Sequence, residues 1–287
     1  MATRQDFTND VKPNWCPGCG DYGVLAAIQS AAVNCGIEPH RLVMATGIGC
    51  SSRIAGYIRS YGFHSLHGRA LPLAQGIKMA NRDLVVVAGG GDGDGFAIGT
   101  NHTIHAMRRN MDITYIVMDN QIYGLTKGQT SPHTPHGTVT NTAPQGSIET
   151  PLLPSLVALS SGAGFVAQGF SGDMKLTTEL IEKGIQHKGF SFINIFSPCV
   201  VYHRARSYDW YRDNLISANT IEGYDPGDFS WAVKETIDKN GLITGLLYQK
   251  ERPSFQDLVE GYSEKALTDA DLKLDQGLFS DLLKEYA

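Results

Sequence analysis

The glycine run at residues 89–95 has the residue types that bind a phosphorylated ligand. It follows an apolar stretch, and five of its seven residues are glycine. Glycines after a strand let backbone N–H groups approach an anion without obstruction by a Cβ atom. A helix predicted to begin at Phe96 points its amino-terminal dipole at the same place. This pattern suits a diphosphate.

The acidic residues of the glycine run indicate how the diphosphate is held. Asp92 lies between Gly91 and Gly93, where a carboxylate repels a bare phosphate unless a divalent cation lies between them. Mg²⁺ prefers oxygen ligands and commonly combines one or two protein groups with phosphate oxygens. Asn120, after the next predicted strand, can supply a second oxygen, and Ile122 can supply a backbone carbonyl.

Other readings of the glycine run are weaker. It does not satisfy G-x-G-x-x-G, which disfavours a nicotinamide-binding site, and the chain has no G-x-x-x-x-G-K-[ST] phosphate loop. The remaining alternative is a turn that only closes a strand against a helix.

Four of the five cysteines are placed to bind a metal. Cys16-Pro-Gly-Cys19 is a C-x-x-C pair, which by itself fits half a cluster site, a zinc knuckle or a redox dithiol. Cys50 and Cys199 each follow a predicted strand, so the four thiolates can hold Zn²⁺ or a [4Fe–4S] cluster. The spacing does not distinguish these metals. Cys35 belongs to no motif, and we expect a buried or partly buried free thiol.

These residues need a scaffold, and apolar runs that alternate with helical patterns predict one. Strands are predicted at residues 41–46, 83–88, 112–118, 164–168 and 190–196. Helices are predicted at residues 23–34, 71–81, 96–109, 151–160, 173–187 and 229–239. Strands that alternate with helices are typical of an α/β fold with a parallel sheet flanked by helices.

A parallel sheet brings the candidate residues together. Ligands bind such sheets outside the carboxyl ends of the strands. Four candidate groups each follow a predicted strand: Cys50, the glycine run, Asp119-Asn120 and Cys199. We therefore expect them along one edge of the sheet.

Two segments lack a regular pattern. Residues 121–150 are rich in Gly, Pro, Thr and Ser and are too long for an ordinary connector, so we expect a functional loop. The chain from about residue 200 is less regular, and the charged residues 263–287 are predicted to form an arm on a partner. No second domain boundary is evident. Residues 1–287 are read as one domain whose C-terminal extension, about 205–287, packs on a partner subunit.

The composition excludes several classes. The 287 residues are 42% hydrophobic and 18% charged, with a formal net charge of −5 and a pI near 6.0, so nucleic acid and membrane partners are not expected. The start lacks an apolar segment, and no run of about 18 apolar residues exists. We therefore expect a cytoplasmic protein, in which structural disulfides are uncommon.

Longer motifs carry a family resemblance. Gly91-Asp92-Gly93 with a distant Asn120 resembles the thiamine-diphosphate motif of transketolase-like enzymes. Four further stretches together resemble the β subunit of 2-oxoacid:ferredoxin oxidoreductases. They are Trp15-Cys-Pro-Gly-Cys-Gly20, Gly47-Ile-Gly-Cys-Ser51, Leu66-His-Gly-Arg-Ala70 and Tyr123-Gly-Leu-Thr-Lys-Gly-Gln-Thr-Ser-Pro132. The resemblance covers about residues 14–204 and extends more loosely to 260.

The resemblance implies thiamine diphosphate, Mg²⁺ and a [4Fe–4S] cluster, bound in a thiamine-diphosphate-binding (transketolase-like) fold. The implied metal ligands are Cys16, Cys19, Cys50 and Cys199 for the cluster, and Asp92, Asn120 and Ile122 for Mg²⁺. The implied cofactor contacts are Ile48, Gly49, Cys50, Ser51, His67, Gly91, Gly93, Asp94, Gly124 and Leu125. The implied catalytic residues are His67, which is favoured over His64, and Lys127. In the family the sequence usually continues Ser-Pro-Thr, whereas this chain has Ser131-Pro132-His133.

The resemblance also implies the reaction. It is a coenzyme A-dependent oxidative decarboxylation of a 2-oxoacid, with 2-oxoglutarate favoured, to acyl-CoA and CO₂. Electrons pass through the cluster to ferredoxin, and the reaction can run backwards. No glutamate here has a motif suited to activating thiamine, so we expect it from an obligate α subunit. Two alternative functions remain. One is a non-redox thiamine-diphosphate decarboxylase subunit, and the other is an interaction subunit that is stabilised by a bound metal and holds no cofactor.

Overall fold

In the computed structural model, which describes residues 2–260, 262, 266–269, 273 and 275–286, the strands form one eight-stranded sheet. The strands are β1 (Leu42–Thr46), β2 (Tyr61–His64), β3 (Val85–Gly91), β4 (Ile113–Asp119), β5 (Phe165–Phe170), β6 (Phe190–Phe196), β7 (Ile216–Ser217) and β8 (Ile243–Gln249). Their order is β2-β1-β3-β4-β6-β5-β8-β7. The six strands from β2 to β5 run parallel, which confirms the predicted parallel sheet.

Helices cover both faces of the sheet. They are α1 (Asp21–Asn34), α2 (Ala70–Ala80), α3 (Thr100–Arg109), α4 (Pro154–Ser160), α5 (Met174–Gln186), α6 (Tyr208–Asn214), α7 (Phe229–Asp238), α8 (Phe255–Leu258) and α9 (Gln276–Glu285). Helices α1 and α5 pack on one face through residues such as Ile28 and Ile181. Helices α2, α3, α4 and α7 pack on the other, where Met107 and Leu159 are buried. Central strands buried on both faces explain their nearly continuous apolar sequences.

The structure departs from the predicted elements in several places. The predicted helix 96–109 is divided into a π-helix at Asp94–Ile98 and α3, and the predicted helix 151–160 begins at Pro154. Strand β2 was not predicted, because all four of its residues are exposed at the sheet edge and no apolar alternation marks it. Strands β7 and β8 were also missed. Since β8 is antiparallel to β5, the sheet is mostly rather than wholly parallel.

The register of the central strands brings the predicted site segments to one edge. Thr46 pairs with Gly89, Gly91 pairs with Met118, and Asp119 pairs with Phe196. The carboxyl ends of β1, β3, β4 and β6 therefore lie side by side. The loops that follow carry Cys50, the glycine run, Asn120 and Cys199, so the predicted convergence is confirmed.

The C-terminal part of the chain adds β7 and β8 to the same sheet, and α7 packs on one face of it. Helix α9 follows, and its apolar residues such as Leu278 and Leu283 are exposed. Of the predicted arm at 263–287, residues 263–265, 270–272, 274 and 287 lie outside the described residues. Packing of the C-terminal extension on a partner stays a prediction. No helix in the described ranges combines the length and apolar character needed to cross a bilayer.

Candidate active site

The glycine run turns the chain from β3 into the π-helix, which continues into α3. The start of a helix leaves backbone N–H groups without intrahelical partners, and such groups bind phosphate oxygens. Gly93 must lack a side chain, because a Cβ atom there would overlap the ring of Tyr123. The Tyr123 hydroxyl donates to the Gly93 carbonyl at 3.1 Å, which fixes this close approach.

The Asp94 carboxylate holds two loops against the glycine run. It is 2% exposed, and its Oδ1 accepts from the backbone N–H groups of Ile48 at 2.9 Å and Gly68 at 2.8 Å. Gly47 is required beside it, since a Cβ atom there would collide with the same carboxylate. Asp94 was predicted to meet the cofactor. Its side chain is engaged by protein donors, which leaves its backbone N–H as the group suited to an anion.

His67 is oriented by the same carboxylate. Its Nδ1 lies 2.7 Å from Asp94 Oδ1, and because a carboxylate only accepts, Nδ1 carries the hydrogen. The other ring nitrogen, Nε2, is then the one available to a ligand. The side chain is 37% exposed, and its ring lies 6.2 Å from that of Tyr123. His64, by contrast, is exposed on the edge strand β2.

Asp92 is a buried carboxylate with a strong requirement for positive charge. It is 1% exposed, and its Oδ2 accepts a hydrogen bond from the Ser131 hydroxyl. Burial raises the pKa of Asp92, and the nearby Asp119 carboxylate raises it further. A divalent cation at this point would reverse both effects. The residue therefore fits the predicted Mg²⁺ ligand.

Asp119 and His133 lie beside Asp92; Asp119 was predicted only to lie at this edge of the sheet, and His133 was not predicted as a site residue. One ligand atom from each of the three falls within 4.8 Å of the others. His133 Nδ1 donates to Asp119 Oδ2 at 3.0 Å, and both side chains are 1% exposed. Burial lowers the pKa of His133, but the attraction of Asp119 outweighs it, so the net shift is upward.

The Asp119 carboxylate is occupied by protein donors. Besides His133, it accepts from Asn194 Nδ2 at 3.1 Å and from the backbone N–H of Gln121 at 3.2 Å. Asp92 accepts from Ser131 and has oxygen capacity left. Of the two carboxylates, Asp92 is therefore the one better suited to bind the predicted cation.

Asn120 and Ile122 form a tight turn at the end of β4. Asn120 Oδ1 accepts from the Ile122 N–H at 3.0 Å, and Gln121 has a left-handed backbone with φ 59°. The Asn120 carbonyl accepts from His203 Nδ1 at 3.1 Å, which anchors the turn from outside. Strand β4 pairs with β3, so this turn lies beside the glycine run. The three predicted Mg²⁺ ligands thus come from adjacent strand ends.

The loop after this turn closes on itself at Tyr123 and Gln129. The Tyr123 N–H donates to the Gln129 carbonyl at 2.9 Å, and the Gly128 N–H donates to the Tyr123 carbonyl at 2.8 Å. Lys127, at its tip, is exposed and has φ 74°. Left-handed backbone costs a non-glycine residue about 1–2 kcal/mol, and such strain is concentrated at functional sites.

The cysteine sulfurs converge next to the same loop. A Cβ atom at Gly124 would lie 3.5 Å from Cys50 Sγ and 3.6 Å from Cys199 Sγ. The Tyr202 N–H donates to Cys199 Sγ at 3.4 Å. Hydrogen bonds of this kind tune the sulfur ligands of iron–sulfur clusters. Two of the four predicted cluster ligands therefore lie close to Gly124.

Close backbone contacts hold the C-x-x-C segment against the loop that follows strand β6. The Gly20 N–H donates to the Pro198 carbonyl at 3.2 Å, and a Cβ atom at Gly20 would lie 2.7 Å from Ser197 backbone atoms. Ser197 Oγ donates to the buried Asp21 carboxylate at 2.7 Å. Trp15 Nε1 donates to the Cys50 carbonyl at 2.7 Å. These contacts tie the three cysteine-bearing segments into one unit.

Two thiols of this unit, those of Cys19 and Cys50, have a raised pKa. Burial raises the pKa of Cys19, and the Asp21 carboxylate raises it further. The same two causes raise the pKa of Cys50 to about 11. Within the described residues, which include all the cysteines, no three sulfur atoms lie within 4.8 Å of one another.

Comparisons with known proteins agree with this geometry. The family described as "Thiamine pyrophosphate enzyme, C-terminal TPP binding domain" matches residues 43–195, and the family of the C-terminal part of the pyruvate ferredoxin oxidoreductase beta subunit matches residues 199–264. A 2-oxoacid:ferredoxin oxidoreductase subunit beta from a Sulfolobus species is 39% identical over 87% of this chain and 86% of its own. The chain belongs to the 2-oxoacid:ferredoxin oxidoreductase β subunits.

Further relatives carry more specific names. The 2-oxoglutarate synthase subunit KorB of Methanocaldococcus jannaschii is 44% identical over 88% of this chain and 93% of its own. A solved structure of the 2-oxoglutarate:ferredoxin oxidoreductase from Magnetococcus marinus has 38% identity and a TM-score of 0.91, covering 98% of this chain and 96% of that one. This β subunit is thus part of an oxidoreductase with more than one kind of subunit.

The structure adds residues to the site that sequence reasoning missed in this β subunit. Asp119 was noted only for its place after a strand, and its pairing with His133 was not foreseen. The sequence signal that could have indicated this pair is His133 itself, which replaces the threonine usual in the family. Tyr123, Ser131 and Asp21 carried no separate signal. Cys35 is a partly buried free thiol, 3.9 Å from the Glu182 carbonyl, as predicted.

Proposed function

We propose that this β subunit, together with an α subunit, converts 2-oxoglutarate and coenzyme A to succinyl-CoA and CO₂ and passes the electrons to ferredoxin. In this proposal thiamine diphosphate and Mg²⁺ bind at the glycine run, and Cys16, Cys19, Cys50 and Cys199 hold a [4Fe–4S] cluster. The observation that carries the proposal is the segment Tyr123-Gly124. Tyr123 contacts Gly93 of the glycine run, and a Cβ atom at Gly124 would lie within 3.6 Å of the sulfurs of both Cys50 and Cys199.

In this proposal the diphosphate site and the thiolate site both adjoin these two consecutive residues. When bound, thiamine diphosphate supplies the carbanion chemistry of decarboxylation, and an iron–sulfur cluster supplies one-electron acceptors. A structural zinc ion at the same place would serve no redox purpose. The adjacency therefore supports electron transfer out of the site rather than a simple decarboxylation.

The residues of the chain have distinct proposed roles at the cofactor. Asp92, Asn120 and Ile122 hold the cation, and the N–H groups of Gly93 and Asp94 meet the diphosphate. Further cofactor contacts are proposed for Ile48, Gly49, Cys50, Ser51, Gly91, Gly124 and Leu125. Ile48 and Leu125 are 37% and 48% exposed, so both present apolar surface.

Two residues are proposed to act on the reacting molecules. His67 offers Nε2 to the diphosphate or the substrate carbonyl, because Asp94 already engages Nδ1. Lys127, at the strained loop tip, faces the substrate carboxylate or closes the site. Both roles depend on geometry that the loops hold before ligand binds.

The α subunit is proposed to supply the glutamate that activates thiamine. The segments of this chain that form the site edge, residues 47–51, 66–70, 89–96, 119–133 and 197–206, contain no glutamate. A β subunit alone is therefore expected to be inactive. The names of the KorB relatives and the 2-oxoglutarate, coenzyme A and succinyl-CoA bound in the Magnetococcus enzyme support 2-oxoglutarate as the substrate and coenzyme A as the acyl acceptor.

The deciding experiment is acceptor-dye reduction by the complex of both subunits, purified without oxygen. A panel of 2-oxoglutarate, pyruvate and 2-oxobutyrate is tested with and without coenzyme A. We expect dye reduction that requires coenzyme A and is fastest with 2-oxoglutarate. Iron and acid-labile sulfide are measured on the same sample. Decarboxylation without dye reduction, in protein that lacks iron, would instead establish the non-redox decarboxylase.

A further inference from the structure

A basic groove of about 450 Å³ lies beside the candidate active site. We call it the arginine groove and define it by six of its lining residues. They are Thr138, Tyr202, His203, Arg204, Arg206 and Trp210. It lies between the loop after Cys199 and the long loop that follows β4, so both sides come from the edge of the sheet that carries the site.

One arginine of this groove, Arg206, has a fixed guanidinium with a donor that is unpaired within the described part of the chain. The Arg206 guanidinium stacks on the Trp210 ring at 3.6 Å from its centroid, which fixes the plane of its donors. Its Nη1 is buried and has no hydrogen-bond partner among the described residues. In the same part of the chain, no carboxylate lies within 4.0 Å of the Arg204 or Arg206 guanidinium. Buried donors without partners are costly, and an oxyanion removes that cost.

The groove is continuous with the residues proposed to hold the cofactor. His203 donates to the Asn120 carbonyl at 3.1 Å. Tyr202 packs against the loop that bears Lys127, since a Cβ atom at Gly128 would lie 3.2 Å from its ring. The groove therefore adjoins both the Asn120 turn and the loop that bears Lys127.

Resting on the function proposed above, we propose that the arginine groove binds an oxyanion of a small reactant, anchored by Arg206 and assisted by Arg204. Two reactants carry such a group: the phosphates of coenzyme A and the distal carboxylate of 2-oxoglutarate. A planar guanidinium fork matches both oxyanions in two-point contact, and the aromatic side chains of Tyr202 and Trp210 also suit a nucleotide. The groove volume exceeds the needs of one carboxylate.

The test compares Arg206→Gln and Arg206→Lys in the complex of both subunits. Arg212→Gln is the matched control, because Arg212 is a nearby arginine on α6 that pairs with Asp209 at 2.6 Å. Iron content and thermal midpoint verify that each variant is folded. Binding of adenosine 3′,5′-bisphosphate and of glutarate is measured by titration calorimetry, which needs no turnover. The KM values for coenzyme A, dephospho-coenzyme A, 2-oxoglutarate, 2-oxobutyrate and ferredoxin are then measured.

If the groove holds coenzyme A phosphate, Arg206→Gln raises the KM for coenzyme A at least tenfold and weakens the binding of adenosine 3′,5′-bisphosphate by a similar factor. The effect of Arg206→Lys on both quantities is intermediate. A smaller effect on dephospho-coenzyme A assigns the contact to the 3′-phosphate. If the groove holds the carboxylate, Arg206→Gln raises the KM for 2-oxoglutarate and weakens the binding of glutarate. The KM for 2-oxobutyrate, which lacks the distal carboxylate, does not change. Either result supports the inference.

Other results overturn it. The inference is wrong if Arg206→Gln binds both probes as tightly as the wild type and has unchanged KM values. It is also wrong if only the KM for ferredoxin changes. An equal effect of Arg212→Gln also contradicts it. Failure of the wild-type complex to reduce dye with any 2-oxoacid counts against the proposed function instead, since the calorimetric arm still tests the groove.

Discussion

The Asp94 carboxylate connects three separate parts of the site, so its charge is the most informative group to remove. Asp94→Asn keeps the size and one acceptor oxygen but removes the negative charge from the contacts with Ile48, Gly68 and His67. A hydrogen bond to a charged group contributes about 1.5–3 kcal/mol, against about 0.5–1.5 kcal/mol for a neutral one. Three weakened bonds at a 2% exposed side chain therefore reduce the free energy of unfolding by about 3 kcal/mol.

The assay is thermal unfolding of the complex together with titration of thiamine diphosphate. A loss of about 3 kcal/mol corresponds to a midpoint roughly 5 °C lower in a chain of this size. The Kd for thiamine diphosphate should also rise, since the loops of Ile48 and His67 lose their common anchor. Asp173→Asn is the control, because this exposed helix-capping carboxylate accepts from Leu176 and asparagine caps equally well. An Asp94→Asn complex with the midpoint and cofactor affinity of the wild type would refute the reasoning.

Three further predictions concern other parts of the site. Cys50→Ser should lose most of the cluster iron while Cys35→Ser retains it, measured by iron and labile-sulfide analysis; equal iron in both would contradict the ligand assignment. His133→Thr introduces the family residue but leaves Asp119 buried without its imidazolium partner, so the free energy of unfolding measured by chemical denaturation should fall by about 3 kcal/mol. An unchanged denaturation midpoint would show that the pair is not coupled. Lys127→Gly should raise the free energy of unfolding by up to about 1 kcal/mol by relieving a φ of 74°, whereas Lys127→Ala should not. Both Lys127 variants should lose activity equally if the amine acts on substrate.

The sequence was sufficient for the central sheet and for the meeting of the loops at its edge. Apolar strands such as β4 and β6 are buried on both faces, so their runs are long and unambiguous. Strand β2 could not be read in this way, because it is an exposed edge strand whose pairing with β1 depends on tertiary context.

Contacts between distant segments were the part of the site that sequence could not supply. The pair Asp119–His133 and the approach of Gly20 to Ser197 depend on where whole loops cross one another. Residue types showed that Asp92 needs positive charge nearby. They did not show that a second carboxylate and an imidazole lie beside it, since no local pattern encodes such contacts.

The central claim is that a divalent cation links a diphosphate to Asp92 and Asn120, and calorimetric titration of thiamine diphosphate tests it most directly. The complex of both subunits, stripped of cofactor, is titrated with and without Mg²⁺ and compared with Asp92→Asn. We predict that chelating Mg²⁺ weakens binding to the wild type by about 100-fold, the equivalent of roughly 2.7 kcal/mol, and that Asp92→Asn binds weakly under both conditions. Tight binding that needs neither Mg²⁺ nor the Asp92 carboxylate would contradict the account.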